Sequence, residues 1–163
     1  MEQQVVTNRD VRLLDEFLTE KGIDYVLTGT AGLYIHGFLP KGYDVHDIDI
    51  IVPMNTNDEL LVNGVFSEQE TLSDCKNESD YFQKVFTFKI GKSGVKVNVF
   101  VNNILGNDNP INFREINFEG HTIKVHDVWN ILEAKFKMGR PKDHHFCVKM
   151  FTQICAMFPC LKK

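Results

Sequence analysis

Apolar residues recur along this chain with two alternating periods, and the switches between them mark out its elements. Thr7-Asn-Arg-Asp10 has the form of a helix-capping box. Val11, Leu14 and Leu18 then repeat on one face, with Leu13 and Phe17 beside them, until Gly22, which predicts a first helix over 9–21. Ile23 to Leu27 reads as a short strand, Gly29 as a tight turn, and Ala31, Leu33, Tyr34 and Ile35 as a second helix that Gly37 and Pro40 stop. Residues 47–52, Asp-Ile-Asp-Ile-Ile-Val, form the next strand, cut off by Pro53, and a polar start at Asn55 leads into another short helix towards Phe66. Two pairs of strands follow: 84–90 with 95–101 around Gly91-Lys-Ser-Gly94, and 111–118 with 121–125 around Glu119-Gly120. The last third is helical. Val128, Leu132 and Phe136 align, Gly139-Arg-Pro141 interrupts, and Phe146, Met150 and Ile154 align in a second stretch. No repeat, linker or low-complexity tract intervenes. The pattern predicts one α+β domain over 1–163, with a mixed sheet flanked by helices in 1–125 and a C-terminal helical pair in 126–163.

Composition narrows what such a domain does. With 43% hydrophobic and 25% charged residues among 163, the chain can bury a core. A net charge of −4 gives no broad basic surface for sequence-independent duplex binding. The first residues carry no basic region followed by an apolar one, and no apolar run approaches the roughly 18 residues of a membrane span, so the expectation is a soluble cytoplasmic protein without a membrane partner. Cys75, Cys147, Cys155 and Cys160 lack CxxC spacing and read as free thiols. His46, His144 and His145 likewise lack the spacing of a zinc site, His36 reads as a cap or packed residue, and His121 and His126 flank a strand without a chemical signal. Phe113, Phe118, Trp129 and Phe136 read as core material, because basic residues do not interleave with them as in a base-stacking platform.

The candidate chemistry lies in the strand at 47–52. Side chains alternate faces along a strand, so Asp47, Asp49 and Ile51 share one face and Ile48, Ile50 and Val52 the other. Two carboxylates about 7 Å apart repel unless a cation sits between them, and a hard divalent ion such as Mg²⁺ suits an all-oxygen pair. The alternative is an exposed strand start with both acids in solvent. Upstream, Thr28-Gly29-Thr30-Ala31 joins strand to helix, where free N–H groups and the helix dipole can cradle a phosphate, though a plain glycine turn has the same composition.

The order of these features carries a resemblance. Residues 29–52, GTAGLYIHGFLPKGYDVHDIDIIV, resemble the signature of the nucleotidyltransferase superfamily: a glycine turn, a helix and an acidic D-x-D strand. Residues 131–146, ILEAKFKMGRPKDHHF, are similar to the K-x-x-x-x-R-x-K-D stretch of its minimal and abortive-infection, toxin–antitoxin-like branches. The resemblance implies a nucleotidyltransferase-like sheet. Gly29 and Thr30 would bind nucleotide phosphates together with Lys135, Arg140 and Lys142, Asp143 would orient Lys142 or Arg140, and Asp47 and Asp49 would hold Mg²⁺. The implied reaction moves a nucleoside monophosphate from a nucleoside triphosphate to a hydroxyl on a small molecule, an RNA end or a protein. A toxin–antitoxin partner goes with a non-catalytic member, and a domain this small could form its acceptor cleft across a homodimer.

One departure cuts against turnover. Alternation puts Lys96, Asn98 and Phe100 on one face of strand 95–101, so Asn98 stands where the family's third catalytic acid belongs beside Asp47 and Asp49. An amide oxygen can ligate a metal weakly, but it cannot accept the acceptor's proton. Glu115 and Asp44 are the acids available to substitute. Tyr43 and Val45 also replace the family's usual Arg and Thr or Ser, and Phe146 stands where another acid often follows. A catalytically degenerate protein that binds a nucleotide or a partner is therefore the alternative expectation.

Overall fold

The computed structural model describes residues 5–39, 43–52, 70–71, 84–90, 94–101 and 111–138, with residues 148, 149 and 152. The described elements run α1 (Asn8–Glu20), β1 (Val26–Thr28), α2 (Gly29–His36), β2 (Asp47–Val52), β3 (Glu70–Thr71), β4 (Lys84–Ile90), β5 (Val95–Val101), β6 (Phe113–Phe118), β7 (His121–His126) and α3 (Val128–Met138). One seven-stranded sheet takes the order β3-β4-β5-β2-β1-β7-β6. It is mixed, as expected: β2 pairs β5 and β1 pairs β7 in parallel, while β1–β2, β4–β5 and β6–β7 are antiparallel.

The local signals act where the sequence places them. Thr7 Oγ1 accepts from the Asp10 N–H while the Asp10 carboxylate accepts from the Thr7 N–H, a reciprocal cap that starts α1. Glu119-Gly120 links β6 to β7, whose flanking pair is Phe118 and His121. The two-residue β3 opposite Thr87 and Phe86 is an addition to the expected elements. The helix expected from Asn55 and the second C-terminal helix lie outside the described residues, apart from helical turns at 148, 149 and 152.

The core follows the alternation. Ile48, Ile50 and Val52 of β2 lie opposite Val97, Val99 and Val101 of β5, all at most 2% exposed, and Val11, Leu14 and Leu18 of α1 join the same cluster. Each such side chain contributes about 1.5–3 kcal/mol on burial, so this pairing also locks the register of β2 against β5. A second cluster joins Leu33 of α2 to Val128, Ile131 and Leu132 of α3. Three aromatic residues expected in the core lie at the surface instead. Phe113 is on the sheet's edge strand under the Lys124 ammonium, and Trp129 and Phe136, seven residues apart on α3, face away from its contact with α2. An amphipathic spacing does not say how wide the buried stripe is.

Gly32 sets the distance between α2 and α3. A Cβ built there would stand 3.0 Å from Ile131 Cδ1 and 3.4 Å from the Leu27 carbonyl oxygen. We predict that Gly32→Val forces α3 off α2 and costs about 1–3 kcal/mol in urea unfolding. An unchanged midpoint would show that the two helices have slack.

Candidate functional site

The site is built from neighbouring strands in register. Asp49 of β2 pairs Thr28 of β1 on one side and Asn98 of β5 on the other, and Asn98 in turn pairs Thr87 of β4. Directly paired residues point to the same face, so Thr87, Asn98, Asp49 and Thr28 form a polar row across the middle of the sheet. His126 of β7 extends it, its Nδ1 2.9 Å from Thr28 Oγ1. Asp47 lies one pleat along β2, and both acids are half-buried while Thr28, Thr87, Asn98 and His126 are buried.

Asn98 joins the acids. Its Nδ2 donates to Asp49 Oδ1 at 2.8 Å and to Asp47 Oδ2 at 3.3 Å, while its Oδ1 accepts from Thr87 Oγ1 at 3.1 Å. The gap between the carboxylates that sequence spacing assigns to a cation is thus spanned by the two hydrogens of one amide. Asn98 lies beside the acid pair with its NH₂ facing both carboxylates.

On the other side, Asp49 leans on the turn. A Cβ on Gly29 would lie 2.4 Å from Asp49 Oδ2, and Gly29 has φ +65°, so both space and backbone conformation call for glycine here. Thr28 takes the N-cap position of α2 but makes no side-chain cap bond, its hydroxyl being engaged by His126. Thr30 follows, half-buried, and Lys135 reaches across from α3 to donate from Nζ to Thr30 Oγ1 at 3.0 Å. Two residues drawn from motifs more than a hundred positions apart therefore meet at the start of α2. Arg140, Lys142 and Asp143 lie outside the described residues. Glu115 does not approach the acids: it is exposed on β6, three strands away from β2, and pairs Lys124. Asp44 is exposed in the segment before β2.

Sequence reasoning passed over Thr87 and gave no role of their own to Thr28 or His126. For Thr87 a signal existed, because closing the hairpin on Ile90 and Val95 puts Thr87 opposite Asn98. His126 needed the β1–β7 pairing, which no local pattern encodes. Its burial holds its pKa down at about 4, with His36 pushing the same way and Asp127 partly opposing. His36 is also lowered, chiefly by burial, and its Nε2 donates to the His126 carbonyl at 2.8 Å.

No protein-family model matches the chain, and no curated protein is similar to it. Solved structures are. An antigenic nucleotidyltransferase-like protein from Paracoccidioides brasiliensis superimposes with TM-score 0.57 at 16% identity, over 96% of this chain and 79% of that one. A nucleotidyltransferase candidate from Thermotoga maritima gives TM-score 0.56 at 18% identity, over 92% and 97%. The chain has a nucleotidyltransferase-like fold. ANT(2")-Ia, solved in complex with adenylyl-2"-tobramycin, shares that fold with TM-score 0.57 at 11% identity, over 92% of this chain and 88% of its own. At such identities the nucleotidyltransferase-like fold rests on the path of the backbone. Among the described residues no helix is long and apolar enough to cross a membrane.

The neutral His126 makes a pH prediction. Unfolded, it takes up a proton near pH 6.5, whereas folded it resists until about pH 4. Stability is therefore full above 6.5, falls as the pH drops towards 4, and changes no further through this group below that. The loss is on the order of 3 kcal/mol. Urea midpoints between pH 7 and 4 should fall less steeply in His126→Asn; equal slopes would mean that His126 is charged in the fold.

Proposed function

We propose that this chain binds a magnesium–nucleoside triphosphate and transfers its nucleoside monophosphate to a hydroxyl acceptor. The observation that supports this most is convergence: Asp47 and Asp49, the Gly29–Thr30 start of α2 and the Lys135 ammonium come from three separate elements. The α2 N-terminus offers backbone N–H groups to phosphate oxygens, and Lys135 adds a cation beside them. Arg140 and Lys142 would add positive charge from the segment after α3. Asp47 and Asp49 would hold Mg²⁺, which neutralises triphosphate charge when bound. The donors fit that ion. They are hard oxygens, and the remaining ligands would come from the triphosphate and water, since among the described residues no group of three or more His, Cys, Asp or Glu could hold a metal ion. Mg²⁺ is usually held by one or two carboxylates plus substrate phosphates.

In the reaction, an acceptor hydroxyl oxygen attacks the α-phosphorus, the new P–O bond forms as the bond to the α–β bridging oxygen breaks, pyrophosphate leaves with that electron pair, and the hydroxyl proton passes to solvent. Adenylyl-2"-tobramycin in the ANT(2")-Ia structure is an adenylylated small molecule and supports an acceptor of that size, with an RNA end or a protein as the other classes.

Asn98 favours a second reading, that of a degenerate nucleotide- or partner-binding protein of toxin–antitoxin type. Its amide donates to both acids and has no basic oxygen to take the acceptor's proton. Nucleotide binding is common to transfer and to the nucleotide-binding form of the second reading, and turnover separates those two.

Thermal unfolding with Mg²⁺ and each common nucleoside triphosphate is the test. A ligand at roughly 100 times its dissociation constant adds about 2.7 kcal/mol to the folded state. We expect a Mg²⁺-dependent shift for at least one nucleotide and its loss in Asp47→Ala/Asp49→Ala. Pyrophosphate release that Asp49→Ala abolishes then supports transfer; nucleotide binding without release supports the degenerate reading. No shift with any nucleotide sinks transfer and nucleotide binding alike and leaves only the partner-binding form of the second reading.

A further inference from the structure

Asn98 is 8% exposed, and both N–H donors are used on two carboxylates while its oxygen accepts from Thr87. That arrangement suits acids without a cation. An NH₂ group pointed at Asp47 and Asp49 opposes a positive ion in the same gap, so metal entry requires Asn98 to change. A carboxamide has nearly the same shape after a half-turn about its Cβ–Cγ bond, with oxygen and nitrogen exchanged. Only one partner must adapt. Thr87 donates to Oδ1 now, and a hydroxyl also accepts, so after the half-turn Thr87 Oγ1 can take a hydrogen bond from Nδ2. A valine at 87 would leave the inward amide atom unpaired in either orientation.

We propose that Asn98 is a two-position amide switch, tying Asp47 to Asp49 when the site is empty and turning its oxygen to the cation when Mg²⁺ enters with the nucleotide. The proposal rests on the reading of Asp47 and Asp49 as metal ligands. Two consequences separate it from an inert asparagine. Bare Mg²⁺ competes poorly, because it has to break two hydrogen bonds that the amide already makes and finds only two charges there; a triphosphate supplies the missing negative charge. An aspartate at 98 has no hydrogens to offer, so three carboxylates crowd the empty site and a bare ion relieves them.

The test compares the natural chain with Asn98→Asp in EDTA and in rising Mg²⁺ without nucleotide, by thermal unfolding. The expected result is a lower midpoint for Asn98→Asp in EDTA and an apparent Mg²⁺ affinity at least about tenfold above that of the natural chain. Equal response to bare Mg²⁺ overturns the proposal. A second measurement does not depend on the variant folding. In the ¹⁵N-labelled natural chain, the Asn98 side-chain NH₂ resonances, assigned through neighbouring backbone signals, are followed on adding Mg²⁺ with a non-hydrolysable ATP analogue. They should move from carboxylate-bound positions to that of an amide bonded to a hydroxyl; unchanged resonances while backbone signals around Gly29 shift overturn the switch. If Asn98→Asp gains bare Mg²⁺ binding while the natural chain binds no nucleotide, the amide tie stands and the nucleotide reading falls.

Discussion

Two carboxylates facing the same side of a central strand need a partner between them, and the structure depends on what that partner is. Asp47 and Asp49 sit on β2, whose other face is sealed by Ile48, Ile50 and Val52 against the valines of β5. Half-buried acids there lose part of their hydration, and a compensating donor must come from the neighbouring strand. Asn98 supplies it, but only in one register. A slip of one residue would turn Asn98 into the apolar layer and a valine towards the acids. The apolar pairing and the amide tie therefore enforce the same alignment, the first by burial and the second by satisfying charge.

Much of this was legible along the chain, and for a common reason: the legible features are local. The Thr7–Asp10 box, the break at Gly29 and the hairpin composition at 91–94 each involve residues a few positions apart. Alternation likewise put Asp47 with Asp49, and Asn98 on a face of its own strand, before any pairing was known. The two motifs also anticipated Lys135 near Thr30, and the two side chains are 3.0 Å apart.

What was not legible required partners distant in sequence. The alignment of Asp49 with Asn98 joins strands nearly fifty residues apart in parallel, and the contact of Thr28 with His126 spans 98 positions. His126 looked like an ordinary strand end because its significance lies in β1 beside it. Exposure misled in the other direction. Phe113, Trp129 and Phe136 have core composition, yet an edge strand and the outer face of α3 leave them in contact with water. Glu115 has the right chemistry on the wrong strand, a reminder that candidate acids are counted by sheet order and not by sequence proximity.

The polar row also explains how the site keeps its shape without a ligand. Asp49 is held from both sides, by the Asn98 amide and by the close approach of Gly29, whose missing Cβ leaves room for the carboxylate. Thr28 next to it is fixed through His126, and His126 through its backbone to His36 at the end of α2. The start and finish of α2 are thus both tied to the row, so the helix N-terminus and the acid pair keep one geometry. A third aspartate in place of Asn98 would strengthen cation binding but leave the empty row with three repelling charges and no donor. On the proposed reading, an asparagine would give the ion a weaker hold: it keeps the acid pair aligned with α2 beforehand, and two hydrogen bonds would have to break as the ion enters.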